Sequence, residues 1–393
     1  MPAQACSSRQ LSEYVAASVV LHCLDGWSYL ANAVGALLDG EQWSAIHMAY
    51  YAELRAAMSF LASDGIGVFN FQHCWVDNQE KGVFFNGQGT HRFVWDAVER
   101  WAQEPVKSTR LLELFRVHGT TFTDWLKAAG YGAGGPIPGK LAHDWLLNWS
   151  IDLKEFTDDR DLRNEMSYRP QRLHHQQQRQ AITVTLTNIL ELWRSCEPAT
   201  SDRFSMLDIF LLRLALEDVY RTSTGWRPHG LRYIRHINRV FANLGFPTIG
   251  FLYDFLIKKD LSSQNFILSE ARRPGMTPKH GIRPLSVISR ALLLLRLASA
   301  AASDLLSYAA ISSSEIAFWT DQLGLDIGLW DMGAAPASIV DLWSDIEAAI
   351  GAVSNWCDLH GAGASVLQAR KSLGGDITQL KQFQRVGLWG IGL

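Results

Sequence analysis

Apolar positions recur at three- and four-residue steps from the start of the chain: Leu11, Val15, Val19, Cys23, Trp27, Leu30 and Val34. That is the repeat of one helix face, so the pattern predicts a helix over 8–38, with a bend allowed at Gly26 and a stop at Asp39-Gly40. Trp43, Ile46, Ala49, Tyr50, Leu54, Ala57, Met58 and Leu61 continue it over 42–62. The link between the two is short, which favours an antiparallel helical hairpin.

The stretches 65–71 and 82–87 alternate weakly and predict a small β-hairpin inserted between helices. Helical periodicity returns over 90–103. Ser108-Thr109 reads as the cap of a helix running to about 117, and further helices are predicted over 121–129 and 140–153. The Gly/Pro-rich run 130–139 reads as a connector. Pro170 suits the first position of a helix extending to about 195, because its missing N–H costs nothing there. Pro198–Asp202 marks the best boundary. Beyond it the pattern stays helical over 205–221, 229–245, 247–258, 284–309, 312–324, 337–357 and 363–384. The expected fold is mainly α: an antiparallel bundle with a small insertion over 1–197, and a second helical domain over 198–393.

Composition narrows this picture. A hydrophobic fraction of 48% with 19% charged residues predicts a folded chain rather than a disordered one. The 15 Trp and 18 Phe predict a core built on large aromatic contacts. The run Ala291–Ala298 is apolar but carries Arg296, and it falls short of the roughly 20 residues a membrane span needs, so a buried helix is expected there and no membrane. The N-terminus shows no signal-peptide pattern. The five cysteines are odd in number and dispersed, which suits a reducing cytoplasm better than a disulfide framework. His73 and Cys74 are adjacent but lack convergent partners, so neither a metal nor a cofactor is expected.

A net charge of −3 excludes a globally basic nucleic-acid binder and leaves room for a local basic face. The strongest candidate lies over 227–239. Arg232, Arg235, His236 and Arg239 fall on one side of a predicted helix, beside Tyr233 and after Arg227-Pro228-His229. Such a face binds a phosphate backbone, or else meets solvent or a protein partner. Lys258-Lys259 and Arg272-Arg273 would extend it. On the helix 42–62, His47, Tyr51 and Arg55 stand at successive four-residue steps and form a polar row. No G-x-S-x-G elbow, H-E-x-x-H pair or dinucleotide-binding glycine loop is present.

The stretch Asp158–Pro170 is dense in charge and lies between two helical segments. Its Arg163-Asn164 pair, in a helical bundle, resembles the signature of the HEPN superfamily, many of whose members are metal-independent ribonucleases of bacterial toxin–antitoxin and antiviral systems. The stretch Ala45–Ala57, with Tyr50-Tyr51 inside it, looks like the Tyr-Tyr-containing helix of the HEPN-related YaaC-like proteins. The resemblance covers residues 8–195. It implies an RNA-directed effector that commonly assembles its site across a homodimer, with Arg163 on the phosphate and Asn164 orienting it. The histidine that the family places shortly after the arginine is absent; Ser167, Tyr168, Arg169 and Pro170 hold those positions. Tyr168, His47 or His174 would have to assist instead, and tyrosine is a poor base near neutral pH. Two readings therefore stand: an RNA-binding or RNA-cleaving effector, and a non-enzymatic helical adaptor for a protein partner, in which Arg163 pairs with nearby carboxylates.

Overall fold

The computed structural model describes residues 8–77, 79, 81–132, 136–149, 181–199, 203–259, 265–277, 281–336 and 338–392. It is mainly α-helical, as the periodicity predicts. Helices α1 (Ser8–Leu38) and α2 (Gln42–Ser63) form the expected antiparallel hairpin. The Ser59 hydroxyl, on the last turns of α2, donates to the Val19 carbonyl in the first half of α1. Helix α1 runs through Gly26 without ending there. The glycine serves close packing: a Cβ at this position would come within 2.5 Å of Leu295 Cδ2.

After the hairpin comes a three-stranded antiparallel sheet: β1 (Ile66–Val68), β2 (Gln72–Val76) and β3 (Gly82–Asn86). The predicted partners 65–71 and 82–87 do not pair with each other. Each pairs with β2, with Gly67 opposite Cys74 and Cys74 opposite Phe84. Strand β2 escaped notice because two successive residues, His73 and Cys74, are both fully buried, which hides its alternation.

Next are α3 (Thr90–Gln103), α4 (Pro105–Glu113), the two-residue strands β4 (Arg116–Val117) and β5 (Thr120–Thr121), α5 (Phe122–Ala128) and α6 (Pro136–Trp149). Helix α4 begins before the predicted Ser108-Thr109 cap. Pro105 takes its first turn, and the chain has already turned into β4 by Arg116. Helix α6 likewise starts at Pro136, so the glycine connector is shorter than its composition suggests. Helices α7 (Ile182–Ser195), α8 (Ser205–Thr224), α9 (Gly230–Leu244), α10 (Phe251–Ile257) and α11 (Phe266–Ala271) follow. The β6–β7 ribbon (Met276–Thr277 with Gly281–Ile282) leads into α12 (Pro284–Tyr308). The chain ends with α13 (Ser313–Asp326), α14 (Ile339–His360), α15 (Val366–Leu380) and α16 (Gln384–Ile391). Where one last helix was predicted over 363–384, the structure has two, parted near Gln382.

Helix α12 is the centre of the molecule. It packs along α2 and α1, with α16 and α11 against other sides. By length and composition it is apolar enough to cross a membrane, yet 89% of its most apolar window is buried inside the protein. Leu292, Leu293 and Leu295 have no exposed surface, and each such side chain contributes roughly 1.5–3 kcal/mol by leaving water. Buried side chains on either side of residue 198 belong to one continuous apolar cluster, and its central helix comes from the second half of the chain.

Two arginines on α12 are buried with it. Arg290 donates to Glu53 on α2 at 3.3 Å and to the Arg273 carbonyl at 2.7 Å; neither it nor Glu53 reaches solvent. Arg296 grips Asp208 on α8 with two bonds, at 3.0 and 2.7 Å, between the rings of Phe115 and Phe204. Removing one partner of such a pair strands the other charge. Asp208→Ala is expected to lower unfolding free energy by about 3–5 kcal/mol in urea titrations. The double change Asp208→Leu with Arg296→Met should lose clearly less, because it leaves no buried charge behind. Equal losses would show that the pair is not desolvated as drawn.

Candidate nucleic-acid interface

Helix α8 ends at Gly225, whose φ of +71° lets the chain reverse into the loop 225–229 before α9 begins at Gly230. Helix α9 is steeply amphipathic. Tyr233, Ile237, Val240 and Phe241 are buried, while Arg232, Arg235 and Arg239 are exposed on the opposite side. Phe241 packs edge-on against Trp125 of α5, which holds the helix by its inner face. The Asn243 amide donates to the Ala128 carbonyl at 2.8 Å and fixes its far end.

An open hollow of about 640 Å³ lies where the loop meets α9. Its wall includes Tyr220, Trp226, Arg227, His229, Arg232 and Arg235. The Arg232 guanidinium sits 4.3 Å from the centre of the Trp226 ring, which is itself 57% exposed. Arg227, Arg232, Arg235 and Arg239 have no carboxylate within ion-pair distance among the described residues. The acids on the adjoining turns of α8 are taken: Glu217 by Arg213 and Asp218 by Arg221. Three unneutralised guanidiniums in one hollow with an exposed indole, and a fourth further along the helix, can hold phosphate oxygens and stack a base.

Of the four residues predicted for this face, Arg232, Arg235 and Arg239 lie on the exposed side of α9. His236 does not. It sits where the exposed side of α9 turns toward the core, and its ring packs among Tyr131, Tyr220 and Tyr233. Burial, helped by the nearby Arg239 charge, pushes its pKa down, so the ring is held neutral and serves packing rather than phosphate contact. Trp226 is the residue that sequence reasoning passed over. The available signal was a tryptophan next to Arg-Pro-His in a loop, where a large apolar ring has no core to enter. Arg273, one of the cations expected to extend the face, pairs with Glu270 at 2.6 Å, which takes it out of the set of open cations.

The polar row on α2 turns largely inward. The Tyr51 ring stacks on Tyr29 of α1 at 5.3 Å and meets His91 of α3 edge-on. Tyr50 bonds His91 Nδ1 at 2.8 Å. His47 is half-buried, with its ring edge-on to Tyr51. Arg55 reaches back to α1, contacting His22 Nδ1 at 3.0 Å and Asp25 at 3.7 Å. Arg163, Asn164 and Tyr168 lie outside the described residues. On β2, His73 and Cys74 point to opposite faces. His73 Nδ1 accepts from the Phe69 amide, so Nε2 carries the proton and donates to the Gln88 carbonyl at 2.9 Å. Two side chains facing opposite ways cannot ligate one ion. Burial raises the Cys23 thiol to about 12, which keeps it protonated and unreactive.

No protein-family model matches this chain, nor does any curated protein or solved structure. What the site can do therefore rests on its own geometry.

The α1–α2 seam carries a pH dependence. Burial first, and the Arg55 charge second, lower the His22 pKa from 6.5 to about 4. The folded state thus binds fewer protons than the unfolded one between those values. Stability should be full above pH 6.5, fall as the pH drops toward 4, and level off below it. In urea titrations across that window, His22→Gln should flatten this part of the profile. An unchanged slope would place the proton uptake elsewhere.

Proposed function

We propose that this protein binds single-stranded RNA through the α8–α9 hollow, as a HEPN-like effector of a bacterial defence or toxin system. The observation that supports the reading best is the set Arg227, Arg232 and Arg235, unpaired among the described residues and lining one hollow with the exposed Trp226, with Arg239 exposed further along the same helix. Most arginines near a carboxylate in this chain are already committed to it, as at Arg194, Arg213, Arg221, Arg273 and Arg370. Cations left open on one helix face give a local positive potential in a chain whose net charge is −3. A single strand suits the hollow better than a duplex does. Its bases are free to stack on the indole or on the guanidinium plane, and stacking tolerates any base. The HEPN resemblance extends the proposal to metal-independent cleavage, with Arg163 on the phosphate, Asn164 orienting it, and Tyr168 or His47 assisting.

A second reading, a helical adaptor for a protein partner, has its own support. Helix α13 and the loop after it expose Phe318 at 80% and Met332 at 86% of their surface, and Tyr308 just before them is exposed at 92%. Large apolar side chains exposed to water on neighbouring segments of the chain suit a contact surface for another protein or a second copy.

Fluorescence anisotropy with a labelled single-stranded RNA separates the two readings. The wild type should bind with an affinity that falls as salt rises, and Arg235→Ala or Arg239→Ala should each reduce the salt slope by roughly 0.7. Trp226→Ala should lose roughly 1–3 kcal/mol of binding with the slope unchanged. Absence of RNA binding by the folded protein would shift the assignment to the adaptor. Incubating RNA with wild type and with Arg163→Ala in chelator tests the cleavage component on its own.

A further inference from the structure

A second charged cavity lies on the flank of α12, and it shares no lining residue with the α8–α9 hollow. Its volume is about 410 Å³. The floor is Phe204 with the Arg296–Asp208 pair. Both Asp208 oxygens are taken by Arg296. Arg203 lies beside them as a second guanidinium, and no carboxylate among the described residues comes within ion-pair distance of it. Its Nη1 is held by the Ser303 hydroxyl and the Gly390 carbonyl, at 2.5 and 3.1 Å. Its Nη2 rests against Gly392, where a Cβ would intrude to 2.3 Å. The group is therefore fixed in position, half-withdrawn from water and short of an anion. Burial and the Arg296 charge both act against its own positive charge, which an incoming anion would relieve.

The rim has a different character. Arg116 is exposed there, and so are the carboxylates of Glu113 and Asp304. The same three residues border a neighbouring hollow of about 410 Å³. In it Thr123, only 3% exposed, keeps an Oγ1 with no hydrogen-bond partner among the described residues. A buried hydroxyl with no partner among the described residues is free to bond a ligand atom. Acidic side chains at the mouth repel a polyanion such as an RNA strand and accept hydrogen bonds from hydroxyls. A guanidinium in fixed position beneath them, its Nη1 spent on Ser303 and Gly390, keeps Nε and Nη2 to offer a compact anion.

We propose that this paired cavity binds a small phosphorylated polyol, a sugar phosphate or mononucleotide. Arg203, Ser303 and Arg116 hold the phosphate, whose three terminal oxygens match three donors. Glu113 and Asp304 accept from the sugar hydroxyls. The assignment is independent of the RNA-binding reading.

Titration calorimetry of the full chain with ribose 5-phosphate, inorganic phosphate and ribose, with thermal unfolding in parallel, tests it. Ribose 5-phosphate should bind and raise the melting temperature at about 10 mM. Inorganic phosphate should bind more weakly, and ribose not measurably. Arg116→Ala is a surface change that leaves the packing alone, and it should weaken binding about tenfold or more, as should Arg203→Lys. Asp304→Asn should weaken ribose 5-phosphate while sparing inorganic phosphate. The proposal is overturned if ribose 5-phosphate neither binds nor stabilises, if Arg116→Ala binds it as the wild type does, or if inorganic phosphate binds as tightly.

Discussion

Two arginines inside an otherwise apolar helix constrain the rest of this structure. A guanidinium cannot lose its charge at any accessible pH, so burying Arg290 and Arg296 forces the fold to supply carboxylates at two points along α12. Glu53 of α2 supplies one and Asp208 of α8 the other. Hydrophobic burial is non-directional, so by itself it sets the register of α12 less sharply than a buried ion pair does. An uncompensated buried ion costs several kcal/mol, so only one register of α12 against α2 and α8 is acceptable. Ser299 adds to this by accepting from the Trp27 indole at 2.9 Å, which sets α12 against α1.

The same helix links the core to the charged cavity. Arg296 fills its floor by holding Asp208, and that leaves Arg203 without a carboxylate of its own. Ser303 and Asp304, one and a half turns or more further along α12, emerge toward solvent as the helix leaves the core. A strongly apolar segment and a polar ligand-facing one thus belong to a single rigid rod, and the side chains at the cavity inherit the rigidity of the packing behind them. The α8–α9 hollow is built differently. Its arginines stand on the outer side of a helix whose inner side is anchored by Ile237, Val240 and Phe241, while Trp226 stands on a loop positioned by the turn at Gly225. An exposed face of this kind can adapt to a flexible strand more readily than a cavity held by the packing of α12.

Much of this was legible in advance, for definite reasons. Helix periodicity is a local property, so α1, α2, α3, α9 and α12 fall close to their predicted spans. The errors fall where local pattern and tertiary burial part. Strand β2 has no alternation because both faces of the sheet are covered at His73 and Cys74. His236 has the spacing of the basic face and yet is drawn among tyrosines, since it stands at the boundary where neighbouring helices decide which side is inside. Arg203 gave no sequence signal at all. What makes it notable is the pairing of Arg296 with Asp208, 88 residues apart, which denies it a partner.

By itself the sequence determined the class of fold, the hairpin of the first two helices, the burial of the segment around 291–298 and the position of the arginines along α9. Each of these follows from spacing within about two dozen residues, and covalent geometry carries that information without help. Only the tertiary structure decided that the central helix comes from the second half of the chain, that Arg55 turns inward to His22, and that the arginines lining the hollow with Trp226 have no carboxylate beside them among the described residues. Those outcomes depend on which distant charges find each other first in space. Coulomb interaction and desolvation act between neighbours in the folded protein, whatever their separation along the chain.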